Sequence, residues 1–151
     1  MQLKSLEDTQ NFSRNISKII SAGDIIFLYG EIGVGKTTFV RFFINHLENK
    51  KGIKNSDVLS PTFNIVYDYD VGNIKIIHYD LFRLKSYQDI FQLGMFETSQ
   101  DCIKIVEWPE LIKTKPKDRI DIIFQYSKSM NSRKVKIIGF GKWKGYKFNE
   151  I

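Results

Sequence analysis

Lys36 and Thr37 belong to the string GEIGVGKTT, residues 30–38, in which Gly30, Gly35, Lys36 and Thr37 satisfy the spacing G-x-x-x-x-G-K-[ST]. Glycines at those places let successive backbone amides curl around phosphate oxygens with no Cβ in the way. The chemistry this implies is phosphate binding. Glu31, Ile32, Gly33, Val34, Gly35, Lys36, Thr37 and Thr38 would form the cradle, with the Lys36 ammonium bridging a β- and a γ-phosphate and the Thr37 hydroxyl offered to Mg²⁺. A helix beginning near Lys36 would add its positive end to the same anion. A glycine-rich turn that holds nothing is the competing account, and the surrounding pattern weighs against it.

A phosphate cradle needs an acid near its metal and a group to place the attacking water, both usually at the carboxyl ends of strands. Asp80 ends the apolar run IKIIHYD and Glu107 ends IKIVE, so both qualify, and the sequence does not divide their roles. Asp80 could equally cap a helix, and Glu107 could be a solvated carboxylate ahead of Pro109. Thr62 in SPTF is a third candidate, since Pro61 stiffens the loop and a threonine there could touch Mg²⁺ or the γ-phosphate; entry into a strand is its plainer role. His78, two positions before Asp80, reads as a packed or hydrogen-bonded structural residue, and Cys102 as a small buried one. Trp108 could stack on an adenine or simply pack, and Arg83 could reach a phosphate or pair with Asp80.

The elements that must position these residues follow from periodicity. Ser5 and Asp8 give a capping-box-like start to a helix over about 8–21, on which Phe12, Ile16, Ile19 and Ile20 recur at helical spacing. DIIFLYG, 24–30, is short, continuously apolar and stopped by glycine, as a strand buried on both faces of a parallel sheet would be. Phe39, Val40, Phe43, Ile44 and Leu47 share one face of a helix over 36–48. TFNIVYDYD and IKIIHYD alternate around the turn VGN and predict a β-hairpin, and RIDIIFQYS and RKVKIIGFG predict another, joined by KSMN. Between them, SYQDIFQLG and MFETSQD read as short helical or loop pieces before a buried strand at 103–107. The fold class is therefore α/β: a P-loop NTPase-like three-layer sandwich, its mixed central sheet having a parallel core and antiparallel hairpins.

One domain over 1–151 is expected from the length, with 42% hydrophobic and 26% charged residues, which argues against disorder and fibrous classes. No apolar run approaches the roughly 18 residues of a membrane span, the amino terminus lacks a signal pattern and Cys102 is the single cysteine, so a cytoplasmic protein with no membrane association is expected. The net charge of +6 would favour an acidic partner such as RNA. The end of the chain, 142–151, interleaves Lys142, Lys144 and Lys147 with Trp143, Tyr146 and Phe148; a flexible basic tail is the expectation, and stacking on RNA the alternative.

The blocks GEIGVGKTTFVR, SPTFNIVYDY, IHYDLFRL and IVEWPE, in that order and spacing, resemble the TsaE (formerly YjeE) family over about residues 5–138. The resemblance implies a small ATPase that binds ATP or ADP with Mg²⁺, hydrolyses ATP slowly alone, and serves threonylcarbamoyladenosine formation at position 37 of tRNAs reading codons that begin with A. It implies action on a TsaB–TsaD complex, with tRNA met only through that complex and no DNA. By position it makes Lys36 and Thr37 the P-loop ligands, Thr62 a switch-like threonine, Asp80 a Walker B-like acid that holds the metal, and Glu107 a Mg²⁺-side or water-side carboxylate. It places Thr9 near the nucleotide base, Arg133 and Arg83 near the site, and Trp108 in the VEW block. Glu31, Val34 and Phe82 depart from the residues usual at their positions. A small-molecule or nucleoside kinase is the alternative, weakened by five dispersed arginines and no lid-like insertion. No N-K-x-D string marks a guanine-nucleotide switch, and a nonenzymatic RNA-binding module rests on the charge alone.

Overall fold

The computed structural model describes residues 1–97, 101–128 and 130–148. Its elements in chain order are β1 (Gln2–Leu3), α1 (Leu6–Ile19), β2 (Ile25–Tyr29), α2 (Lys36–Lys50), β3 (Val66–Val71), β4 (Ile74–Asp80), α3 (Tyr87–Gln92), β5 (Cys102–Glu107), β6 (Arg119–Tyr126) and β7 (Arg133–Phe140). The seven strands make one sheet in the order β1-β7-β6-β2-β5-β4-β3. The four middle strands are parallel, the hairpin partners β3 and β7 run antiparallel to them at the two sides, and β1 pairs antiparallel with β7 at the outer edge. This is the expected α/β class with a parallel core.

β2 is the central strand for the site, hydrogen-bonded to β5 on one side and β6 on the other. Burial on both faces explains its continuous apolar run. Ile26 and Leu28 face a layer formed by α1 and α2, while Phe27 faces a thinner layer with Ile90 of α3, Met95 and Ile112. Between sheet and helices, Phe12 lies 5.3 Å from Phe39 and Phe39 lies 5.9 Å from Phe124. All three rings are buried, so truncating Phe39 would cost about 3–5 kcal/mol and loosen the helix that carries Lys36 and Thr37.

Most expected elements form, with instructive differences at their ends. Ser5 caps α1, accepting from the Asp8 amide at 3.0 Å, and the helix starts at Leu6, two residues before the expected start. The β3 strand begins at Val66, because Pro61–Asn64 form a turn and Ile65 takes a left-handed φ of 68°. Ser86 and Asp89 make a reciprocal capping box that stabilises the short α3. β1, only two residues long, has no sequence signal and exists by pairing with β7. Parts of MFETSQD and KSMN lie outside the described residues.

The flexible basic tail is corrected for residues 142–148. Gly141–Trp143 form a 3-10 turn, and Trp143 and Phe148 are buried in the main core. A side chain on Gly139 would run into the Trp143 backbone, so the glycine is what lets this turn fold back. Lys142 pairs with Asp24 at 2.5 Å. Lys144 and Lys147 remain exposed. Among the described residues no helix is long and apolar enough to cross a membrane.

Candidate functional site

The carboxyl ends of β2, β5 and β4 are brought side by side by their register, with Leu28 opposite Glu107 and Glu107 opposite Asp80. The loop after β2 therefore rises directly beside two strand-end carboxylates. Gly30 has φ 135°, and a Cβ there would stand 2.5 Å from the Phe124 carbonyl of β6, so this glycine permits close approach to the neighbouring strand. Gly35, φ 115°, caps α2 with no side-chain hydrogen bond, and the first turn holds no acidic residue. The amides of that turn and the positive helix end are left to an external anion. A Cβ on Gly35 would meet nothing within 4 Å, so the space before the loop is open.

Two cavities meet at this loop. One of about 240 Å³ is bounded by Lys36, Thr37, Thr62, Asp80, Glu107 and Trp108, among others. The second, of about 300 Å³, holds Thr9, Val34, Asn131 and Arg133, and the two share Gly33, Gly35 and Thr38. Thr9 and Arg133, far apart in sequence, are thus brought to one side of the P-loop. Arg133 donates to the Val34 carbonyl at 3.3 Å. Its guanidinium lies 5.1 Å from the Tyr126 ring, and Tyr126 in turn donates to the Ile32 carbonyl at 3.1 Å.

Within the first cavity the polar groups are already engaged with one another. Lys36 is 4% exposed as a residue, and its ammonium donates to the carbonyls of Gly30 at 2.7 Å and Glu31 at 3.0 Å. It also sits 4.1 Å from the centre of the Trp108 ring. Burial lowers the Lys36 pKa, with Glu107, Asp80 and Glu110 acting in the opposite sense. Thr37 donates to Oε1 of Glu107 at 2.8 Å, and His78 Nε2 lies 2.9 Å from the same oxygen. Asp80 makes a separate set: Oδ2 accepts from Thr62 at 2.6 Å and Ser60 at 3.0 Å, and Oδ1 from the Phe82 amide at 3.0 Å.

Among the residues expected at the site, Lys36, Thr37, Thr62, Asp80, Glu107 and Trp108 converge on one cavity, and Ile32 stands exposed at its edge. Trp108 holds a left-handed φ of 57°, rare for a bulky residue and concentrated at functional places. Its ring packs 4.9 Å from Phe82. Arg83 is directed to the Phe63 ring, at 5.0 Å. Sequence reasoning left out Ser60, whose bond to Asp80 spans twenty residues and has no local mark. His78 is a hydrogen-bonded histidine as expected, but its partner is a site carboxylate; its i, i+2 spacing from Asp80 was the available signal, because it puts both on one face of β4. Cys102 is buried, as expected.

A mixed sheet with a parallel core, a glycine loop after its central strand and a helix starting at Gly-Lys-Thr define the P-loop class of α/β folds. A profile of the family described as "Threonylcarbamoyl adenosine biosynthesis protein TsaE" matches residues 3–135, and the chain belongs to this family. It is 38% identical over 111 residues to the "tRNA threonylcarbamoyladenosine biosynthesis protein TsaE" of Rickettsia typhi, covering 74% of each chain. The protein of the same description from Aquifex aeolicus is 35% identical over 139 residues, covering 89% of this chain and 92% of its own. Among solved structures, Bacillus subtilis YdiB superposes with a TM-score of 0.72 at 25% identity, over 94% of this chain and 85% of that one.

Proposed function

We propose that this protein is a Mg²⁺-dependent ATPase that serves threonylcarbamoyladenosine formation at position 37 of tRNA, acting on a TsaB–TsaD-type complex. The observation that carries the ATPase reading is the Thr37–Glu107 hydrogen bond at the mouth of the P-loop. A P-loop hydroxyl whose hydrogen is taken by a carboxylate keeps a lone pair for a cation. The donor set of the Thr37 hydroxyl with the Glu107 carboxylate suits Mg²⁺, which uses one or two carboxylates together with phosphates and water. When bound, Mg²⁺ neutralises charge on the β- and γ-phosphate oxygens.

The chain's own residues then divide as follows. The amides from Glu31 to Thr38 orient the phosphates, and Lys36 moves from the Gly30 and Glu31 carbonyls to the phosphate oxygens. Thr37 and Glu107 form the metal-side pair. Asp80 holds Ser60 and Thr62, so the SPTF loop is poised over the γ-phosphate position, where Thr62 would help to place the attacking water. Thr9 and Arg133 lie where the second cavity would receive the nucleoside of ATP or ADP. The relatives named for threonylcarbamoyladenosine biosynthesis support the pathway. Leu59, Phe63 and Phe82 are large apolar residues exposed beside the site, Phe63 by 82%, which supports a protein partner meeting this face.

Two measurements test the reading. Purified protein with ATP and Mg²⁺ should release free phosphate slowly, and faster with its complex; transfer of phosphate to an acceptor instead would make it a kinase. Cells depleted of the protein should lose threonylcarbamoyladenosine from tRNA, and an unchanged level would remove the pathway assignment.

A further inference from the structure

His78 is fully buried on the helix-layer face of β4, the face that also carries Asp80. Its Nε2 approaches Glu107 Oε1 at 2.9 Å, and Nδ1 is buried with no hydrogen-bond partner among the described residues. Only one neutral tautomer satisfies this arrangement. With the hydrogen on Nε2, the ring donates to the carboxylate and leaves just an acceptor lone pair buried on Nδ1. With it on Nδ1, a lone pair would face Glu107 while an N–H was buried without an acceptor, an arrangement costly twice over.

We propose that His78 is the positioning residue of Glu107, an inference that rests on the ATPase reading above. Oε1 accepts from both Thr37 and His78. Two donors converging on one oxygen, from α2 and from β4, fix the rotation of the carboxylate and leave Oε2 to the cavity that Glu107 lines. Thr37 alone would not do this, since its hydroxyl is also the group offered to the cation. His78 therefore keeps Glu107 oriented while the contacts of Thr37 change on nucleotide binding, as outer partners of metal-side carboxylates do.

The first test needs no nucleotide. Long-range ¹H–¹⁵N spectra of the free protein, with His46→Gln to separate the two histidines, should show His78 as the Nε2–H tautomer; the Nδ1–H tautomer would overturn the proposal. The second compares His78→Gln, whose amide can reach Glu107, with His78→Asn, whose shorter amide ends near the position of Nδ1. His78→Asn should lower turnover about 10–100-fold and raise the Mg²⁺ concentration needed for tight ATP binding, while ATP affinity without metal stays near wild type. His78→Gln should recover most of both. Equal behaviour of the two variants, or turnover by His78→Asn matching wild type, would overturn the inference alone, whereas a wild-type protein that does not hydrolyse ATP would remove the functional reading and the inference with it.

Discussion

The Thr37 hydroxyl donates to Glu107 across 70 residues of sequence, and Asp80, one strand further along the sheet, is bonded instead to Thr62 and Ser60. The two strand-end carboxylates therefore have different partners, which gives their substitutions different consequences. Glu107→Gln removes the charge beside Thr37 and should reduce hydrolysis about 10²-fold while leaving metal-free ATP binding nearly unchanged. Asp80→Asn should also slow hydrolysis, but through the loop. Protease cleavage or hydrogen exchange within residues 58–65 should rise in Asp80→Asn and stay at the wild-type rate in Glu107→Gln. The same response in both variants would erase the division of roles.

The two glycines of the loop pattern, Gly30 and Gly35, do different physical work. Gly30→Ala forces a Cβ to 2.5 Å from the Phe124 carbonyl at a φ of 135°, and should cost about 2 kcal/mol of stability or more, lowering the melting temperature by about 4–8 °C. Gly35→Ala meets no atom within 4 Å, so the cost is confined to its backbone angle, but its methyl would point into the space an anion needs. It should melt closer to wild type and lose ATP binding almost completely. Scanning calorimetry with and without ATP separates the two outcomes.

How much of this was legible in the sequence follows from the range of each interaction. The β2 strand, the P-loop and α2 obey local rules, namely a buried apolar run, glycine spacing and helical periodicity, and they form where those rules place them. Asp80 and Glu107 were recognisable as strand-end acids. Their partners were not, because the choice of Glu107 for Thr37 depends on β5 lying next to β2, a property of strand order. Ser60 and the Arg133–Val34 contact are non-local in the same way. The tail misled for another reason: its lysines dominate the composition, while the burial of Trp143 and Phe148 follows neither strand nor helix periodicity.

Burial lowers the pKa of Lys36 from its ordinary 10.5. A lysine whose folded pKa is lowered is a cation the fold disfavours. The unfolded chain then binds more protons between the lowered value and 10.5, so this group's contribution to stability rises with pH across that window. Triphosphate requires the charged form, and ATP binding should therefore take up a proton on the alkaline side. ATP affinity should fall as pH climbs through the window. Lys36→Arg, which stays charged, should show no such fall, even with weaker binding overall. Titration calorimetry in buffers of different ionisation enthalpy measures the uptake directly, and wild-type affinity that is flat up to pH 10.5 would contradict it.

Trp143 is 8% exposed, lies 5.5 Å from Tyr146 and 6.4 Å from Phe148, and belongs to the core that contains α1 and α2. Trp143→Ala should destabilise the protein by about 3 kcal/mol, toward the lower end for a buried aromatic because its buried indole nitrogen has no hydrogen-bond partner among the described residues to lose. Lys144→Ala, at an exposed position one residue on, should stay within about 0.5 kcal/mol of wild type. Urea unfolding monitored by far-ultraviolet circular dichroism, which needs no tryptophan signal, gives both values. If residues 142–148 were a solvated tail, the two substitutions would be equally silent; a large effect of Trp143→Ala alone makes the segment part of the fold that holds α1, and with it Thr9, beside the P-loop.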